Sequence, residues 1–382
     1  MTSSDSQRLL CPGPVNVHSR VAAALTGLEI CHREDEFEEL LDSLTAGLLA
    51  VAGLSSRTHA AVVITGSGSA ANEAVLSSAV PDGASVLVVS NGEFGERLAR
   101  TSAHYHANTT HLRFDWGESL DLVRIAAALR GGRYALVAIV HHETSTGMLN
   151  PVREIAGLCH SAGTRLYVDA VSSFAADPLE LDTPGIAFVG TSAGKALSAY
   201  PGLSVVFGSH EAFGDLASIR ARTQYLDLGR HYRMAQDKSQ TPNTPAVPLF
   251  LALDAAVKLV LEQGVVARMA HLASLQRLIR RRLGALGFSL YLDSTAVASN
   301  VLTTATLPAG VDYETLRREI RARGYIVYGG KGPLENRVIQ VSALGTVDAL
   351  VLEAFFEALA GALEAARDRS SGLEMLAAPA AE

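Results

Sequence analysis

The stretch Ala60-Ala61-Val62-Val63-Ile64-Thr65-Gly66-Ser67-Gly68-Ser69-Ala70-Ala71-Asn72-Glu73-Ala74-Val75-Leu76-Ser77-Ser78 changes character halfway. Its first six residues are almost continuously apolar, as in a strand covered on both faces. A glycine- and serine-rich turn follows, and Ala70 to Ser78 then reads as a helix. Five further runs rich in aliphatic residues repeat the first half of this unit: Ser85 to Ser90, Tyr134 to His141, Arg165 to Val171, Ile186 to Thr191 and Leu203 to Gly208. Helical patterns at Leu120 to Leu129 and Pro151 to Ala162 separate several of them. Alternation of this kind predicts an α/β sandwich around a mainly parallel sheet.

Outward from this core, Phe37, Leu40, Leu41, Leu44 and Leu48 recur at three- and four-residue steps, which predicts an amphipathic helix from Asp35 to Ala52 ending near Gly53. Pro245 to Leu286 is mostly helical in pattern, and beyond it the texture changes. Strand-like Phe288 to Leu292 and Val301 to Ala305, helix Tyr313 to Arg323, strands Tyr325 to Tyr328 and Arg337 to Val341, and helix Val347 to Arg367 predict a smaller α+β domain. The expected division is an arm over 1–16, a large domain over 17–260, a connecting helix over 261–286, a small domain over 287–368 and a flexible tail over 369–382.

The 382 residues are 48% hydrophobic and 19% charged with a formal net charge of −7, enough apolar material for a large core and no basic surplus for a polyanion. The longest basic cluster is Arg280-Arg281-Arg282, so nucleic acid is not an expected partner. Met1 to Gln7 lack the pattern of a secretory signal, and no apolar run reaches the roughly 18 residues of a spanning helix, so a cytoplasmic location is expected and no membrane partner. Cys11, Cys31 and Cys159 are odd in number and form no CxxC pair, which disfavours a disulfide framework and a zinc site. No metal is expected.

Three motifs carry chemistry. Ser67, Gly68 and Ser69 sit where a strand ends and a helix begins, where free N–H groups and two hydroxyls can cradle a phosphate. A plain serine-capped turn uses the same residues. Ala71 stands where a dinucleotide fingerprint has its third glycine, which disfavours a nicotinamide enzyme. Asp169 ends the apolar run Tyr167-Val168-Asp169, at the sheet edge where α/β proteins bind ligands; it serves either as a loop cap or as the carboxylate that keeps a pyridinium protonated. Lys195, in Ser192-Ala193-Gly194-Lys195, follows the next strand among small residues, where desolvation lowers an amine's pKa towards Schiff-base chemistry. A lone lysine is more often a surface residue. Phosphate cradle, carboxylate and amine in this order match the three handles of pyridoxal 5′-phosphate (PLP): phosphate, ring nitrogen and aldehyde.

From Leu10 to about Leu344 the chain resembles the class V aminotransferases, within the fold type I PLP enzymes. Cys11-Pro12-Gly13-Pro14 resembles the family's N-terminal turn, and Ser90-Asn91-Gly92-Glu93-Phe94-Gly95-Glu96-Arg97 the segment whose aromatic stacks on the cofactor ring. The resemblance implies Phe94 as that aromatic, Gly13 at the substrate, and Thr144 and Ser192 as further cofactor contacts. His141-His142-Glu143-Thr144-Ser145-Thr146-Gly147-Met148-Leu149-Asn150-Pro151 is most similar to the 2-aminoethylphosphonate–pyruvate aminotransferases, as is Tyr325-Ile326-Val327-Tyr328-Gly329-Gly330-Lys331. In that branch an arginine near the C-terminus binds the substrate's acidic group, which implies Arg337 here; a guanidinium can grip an oxyanion with two parallel bonds. Thr241-Pro242-Asn243-Thr244-Pro245 resembles the loop that reaches the phosphate of the neighbouring subunit, implying a homodimer with shared sites and Thr241 and Thr244 as cofactor contacts.

Two departures stand out. Cys31-His32-Arg33-Glu34-Asp35-Glu36-Phe37 is more similar to alanine–glyoxylate enzymes, and Gly194 precedes the lysine where phosphonate enzymes usually have Asn. The implied reaction moves the amino group of 2-aminoethylphosphonate to pyruvate, with Lys195 as Schiff-base amine and proton carrier and Asp169 supporting the ring charge. An alanine– or serine–glyoxylate transaminase is the alternative. A PLP lyase of desulfurase type ranks lower because no cysteine lies in a Gly/Ser-rich loop.

Overall fold

The computed structural model describes residues 7–27 and 29–377. Its centre is a seven-stranded sheet of β1 (His59–Thr65), β2 (Val86–Ser90), β3 (Thr109–Arg113), β4 (Leu136–Val140), β5 (Arg165–Asp169), β6 (Ile186–Ser192) and β7 (Leu203–Ser209), in the order β1-β7-β6-β5-β4-β2-β3. All neighbours are parallel except β7, which runs antiparallel to both β1 and β6. The reason is length: the turn from Ala193 to Gly202 contains no helix, and a parallel return needs a crossover of a dozen or more residues. The sheet is therefore mainly parallel, in an α/β fold as expected.

Strand residues divide by parity. Ala61, Val63, Val137, Ile139 and Val205 face one apolar layer, against α1 (Asp35–Ala52) and α6 (Val247–Gln263); Ala60, Val62, Val88, Ala138 and Val206 face the other, against α2 (Gly68–Ser78) and α3 (Glu93–Tyr105). Both faces are covered, which explains the unbroken apolar runs. Helix α1 ends as its sequence predicts, with Gly53 in the left-handed conformation at φ 70°. Edge strand β3 has no counterpart in the sequence reading: Thr109-Thr110-His111-Leu112-Arg113 is polar and half-exposed, so periodicity hides it.

Helices α4 (Leu122–Gly131) and α5 (Val152–Ser161) complete the large layer set, and Gly264 separates α6 from α7 (Val265–Ala285). A second core lies between α7, α8 (Tyr313–Ala322), α9 (Ala349–Ala377) and an antiparallel sheet of β8 (Ser289–Leu290), β9 (Leu302–Thr306), β10 (Tyr328–Gly329) and β11 (Val338–Ser342), ordered β8-β9-β11-β10. The expected strand Tyr325 to Tyr328 is split: Tyr325 and Ile326 pair in parallel with Arg8 and Leu9, and only Tyr328 and Gly329 join the sheet. The tail expected from 369 is helical as far as Ala377, because Leu373, Met375, Leu376 and the alanines outweigh the Ser-Ser-Gly interruption in propensity; residues 378–382 lie outside the described ones. Among the described residues no helix is long and apolar enough to cross a membrane.

Candidate active site

The ends of β5 and β6, the start of α2 and the N-terminal segment open onto one cavity of about 380 Å³. Nine of the twelve residues singled out from the sequence line it: Gly13, Ser67, Gly68, Ser69, Phe94, Thr144, Asp169, Ser192 and Lys195. Three do not. Thr241 and Thr244 stand outside, Thr241 buried with its hydroxyl donating to the Asn243 carbonyl at 2.8 Å and Thr244 exposed. Arg337 is exposed, one residue before β11, and the residue of that strand that does line the cavity is Gln340. The expectation that Arg337 faces the substrate is corrected by the start of the strand.

Ser67 caps α2 through its backbone alone, and its side chain makes no capping bond. Its hydroxyl and the first N–H groups of the helix are thus free for an anion. Asp169 is buried and receives hydrogen bonds from Asn72 Nδ2 at 2.7 Å and the Val171 N–H at 2.9 Å. Asn72 is in turn fixed by Tyr167 Oη, which donates to Oδ1 at 2.6 Å. Burial pushes the Asp169 carboxyl above the ordinary range, against the pull of these donors and of Arg97 and Lys195. A positive ring nitrogen opposite it would restore the ionised form.

Lys195 is displaced in the other direction. Burial, then the positive charge of Lys331, lowers its pKa, with a further push from Arg97. The amine is thereby brought towards the neutral, nucleophilic form. Its chain lies against Gly13, where a Cβ would come within 2.6 Å of Lys195 Cδ and where φ is +146°, so only glycine serves. The turn that carries the lysine is pinned from α7 by Arg268, which donates to the Ala196 carbonyl and, at 2.9 Å, to Ser198 Oγ.

Several residues in or behind the wall were not assigned a role from sequence; Glu143 lies behind it. Glu143 is buried and accepts from the Phe94 N–H at 3.2 Å, the Gly95 N–H at 3.0 Å, the Ser145 N–H at 3.2 Å and Ser145 Oγ at 2.5 Å. It caps α3 from a distance, since Gly92 has no side chain to do so. The backbone of Phe94, which lines the cavity, is thereby held. His142 is buried, its Nδ1 2.9 Å from Ser172 Oγ, and burial pushes it down to about 3, so it is neutral. Its Nε2 has no partner among the described residues. Gln340 donates from Nε2 to the carbonyls of Thr144 and Ser145, each at 3.0 Å. The signal for Glu143 and His142 was present in the motif, but nothing local showed which way they point.

A bare anion cradle, a carboxylate, a depressed amine, a half-buried aromatic and an orphan imidazole nitrogen fit PLP: phosphate at Ser67 to Ser69, ring nitrogen at Asp169 and aldehyde at Lys195.

Comparison with known proteins agrees. The sequence model of the family described as Aminotransferase class-V matches residues 32–335. A 2-aminoethylphosphonate–pyruvate transaminase of Burkholderia pseudomallei is 34% identical over 360 residues, 93% of this chain and 96% of its own. An uncharacterized aminotransferase of Methanocaldococcus jannaschii is 31% identical over 88% of this chain and 87% of its own. Among solved structures, an alanine–glyoxylate aminotransferase from Nostoc sp. superposes with a TM-score of 0.88 at 30% identity, covering 94% of this chain and 96% of that one.

Proposed function

The chain belongs to the class V aminotransferase family and is PLP-dependent, and from that premise we propose that it moves the amino group of 2-aminoethylphosphonate to pyruvate, giving phosphonoacetaldehyde and alanine. The observation that carries the chemistry is one cavity in which Lys195, Asp169 and the Ser67-Gly68-Ser69 turn meet. The choice of donor is supported by the segment His141 to Pro151 and by the transaminase relative at 34% identity.

PLP, when bound, supplies an aldehyde that takes up the amino group and a ring that absorbs the electron pair released at the substrate carbon. The residues do the rest. Lys195, its amine depressed by burial, would hold the cofactor through its aldehyde and, once released, would accept and return a proton at Nζ. Asp169, held by Asn72 and the Val171 N–H, would keep the ring nitrogen charged. Ser67, Ser69 and Ser192 would hold the phosphate, and Phe94 would offer its face to the ring. Thr241 and Thr244 complete the phosphate site of a partner subunit in a homodimer. Their loop is held for that task by Arg33, whose Nη1 donates to Gln240 Oε1 at 2.9 Å and to the Thr241 carbonyl at 2.8 Å.

A second reading, transamination between an α-amino acid such as alanine or serine and glyoxylate, is favoured by the His32-Arg33 segment and by the Nostoc structure. A spectral titration separates the two. PLP-loaded protein is mixed with 2-aminoethylphosphonate or L-alanine and then with pyruvate. Conversion of the aldehyde band to the amine form by 2-aminoethylphosphonate, reversal by pyruvate, and loss of both in Lys195→Ala are expected. A response to L-alanine alone moves the function to the second reading.

A further inference from the structure

We propose that Arg97 and Lys331 form a second anion subsite at the mouth of the cavity, which takes the acid group of the amino donor while the Ser67-to-Ser69 turn takes the cofactor's phosphate. The inference rests on the reading that an amine with an acid group enters this cavity.

Both side chains line the cavity. The Arg97 guanidinium carbon is 4.6 Å and the Lys331 Nζ 5.4 Å from the centre of the same Phe94 ring, so the two cations are no farther apart than the sum of those distances. They reach it from different lobes. Arg97 is three residues after Phe94 on α3 and shares its face, whereas Lys331 follows β10 of the small sheet. Among the described residues neither is in an ion pair, although the acids of α3 are engaged: Glu93 with Arg100, and Glu96 with Arg100 and Arg113.

Two cations on one ring with no direct ion pair repel each other, and both depress Lys195. An oxyanion between them would remove both costs. The rest of the wall offers the substrate's acid no other cation apart from Lys195, which is committed to the aldehyde. The carboxylate in the lining is Asp169, and Gln340 spends its amide N–H groups on the Thr144 and Ser145 carbonyls. The same Nε2 also lies 3.1 Å from Thr304 Oγ1, so the amide donors of Gln340 are engaged and an oxyanion beside it gains no charge-assisted bond. The acid is thereby steered to the Arg97 and Lys331 side. A phosphonate has three oxygens, enough to fill the planar fork of Arg97 and the ammonium of Lys331 together, while a carboxylate has two.

The test uses the PLP-loaded protein, as wild type, Arg97→Met, Lys331→Met and the double variant. Both positions are exposed, so the variants should fold. Calorimetry measures the binding of ethylphosphonate and of propionate, acids without an amino group, and dialysis measures how much PLP each protein retains. Each single change is expected to weaken ethylphosphonate roughly tenfold, the scale of one charge-assisted hydrogen bond, with PLP retention unchanged and the loss during turnover appearing in KM more than in kcat. Unaltered affinity in the double variant, no binding of either acid to the wild type, or loss of PLP in step with the cations overturns the proposal. If 2-aminoethylphosphonate proves not to be a donor while acid binding still falls in the variants, the donor assignment fails and the subsite stands.

Discussion

Replacing Glu143 with Gln should loosen the start of α3 and, with it, the seat of Phe94. The carboxylate serves two donor sets: Oε1 takes Phe94 N–H, Ser145 N–H and Ser145 Oγ, and Oε2 takes the Gly95 N–H. A glutamine keeps one oxygen. In its better orientation the oxygen stays with the three donors and the new NH2 faces the Gly95 N–H, donor against donor. One buried N–H then goes unsatisfied, at about 1–3 kcal/mol, and the helix loses the negative charge at its N-terminus. If that cost is felt as easier local opening, amide hydrogen exchange at Phe94 and Gly95 accelerates roughly 5- to 150-fold, by the same free energy expressed as a population. Hydrogen-exchange mass spectrometry of peptides spanning 92–96, with α1 peptides as internal reference, reads this directly. Exchange at those amides unchanged in Glu143→Gln would refute the assignment of Glu143 as the cap.

Asp177 joins the two lobes: it accepts from Ser299 Oγ at 2.5 Å and the Asn300 N–H at 2.8 Å, and burial pushes its carboxyl from 3.8 up to about 6. Between those values the folded chain keeps a proton that the unfolded chain releases, so stability is highest below the window and falls as pH rises through it, by about 3 kcal/mol at 1.36 kcal/mol per pKa unit. Melting temperatures taken from pH 4 to 7 should therefore show a shallower decline, or a steeper rise, in Asp177→Asn than in wild type; parallel curves would count against it. Asn72→Leu leaves Asp169 Oδ2 and Tyr167 Oη without partners, so PLP retention on dialysis should fall roughly tenfold, for a loss of about 1–3 kcal/mol at a buried polar pair. Retention equal to wild type would show that Asn72 does not prepare Asp169. Arg33→Ala frees the loop around Thr241, and protease nicking near 240–244 should accelerate by roughly fivefold, about 1 kcal/mol of lost hydrogen bonding; an unchanged rate would sink that role.

The large lobe was legible because its strands are covered on both faces: six of the seven runs are apolar enough to be seen without context, and the missing one, β3, is half-exposed and polar. The proposed cofactor residues could be picked out for a related reason. A phosphate, a ring nitrogen and an aldehyde each demand a particular residue type at a strand end or helix start, and in an α/β sheet those ends converge on one edge. Ser67, Asp169 and Lys195 meet there without any long-range information beyond strand order. Glu143, His142 and Asn72 were not legible in this way, because their roles depend on partners at sequence separations of 49, 30 and 97 residues.

Arg337 shows where residue type misleads. On β11 the side chains of Ile339 and Val341 enter the small-lobe core, so by the period of two the other face, with Gln340, looks towards the Thr144 and Ser145 carbonyls and the cavity. Arg337 has the parity of the core residues and lies just before the strand, where it goes to solvent instead. Selecting the nearest arginine by its chemistry thus selects a residue that does not line the cavity, and a cation for the proposed acid group has to be sought elsewhere. Helical spacing supplies one candidate, since the residue three after Phe94 is Arg97, and the turn after β10 supplies the other, Lys331. One of these cations comes from each lobe, so the proposed acid subsite depends on both the α3 side and the small-sheet side of the cavity, which is why no single local motif in the sequence announces it.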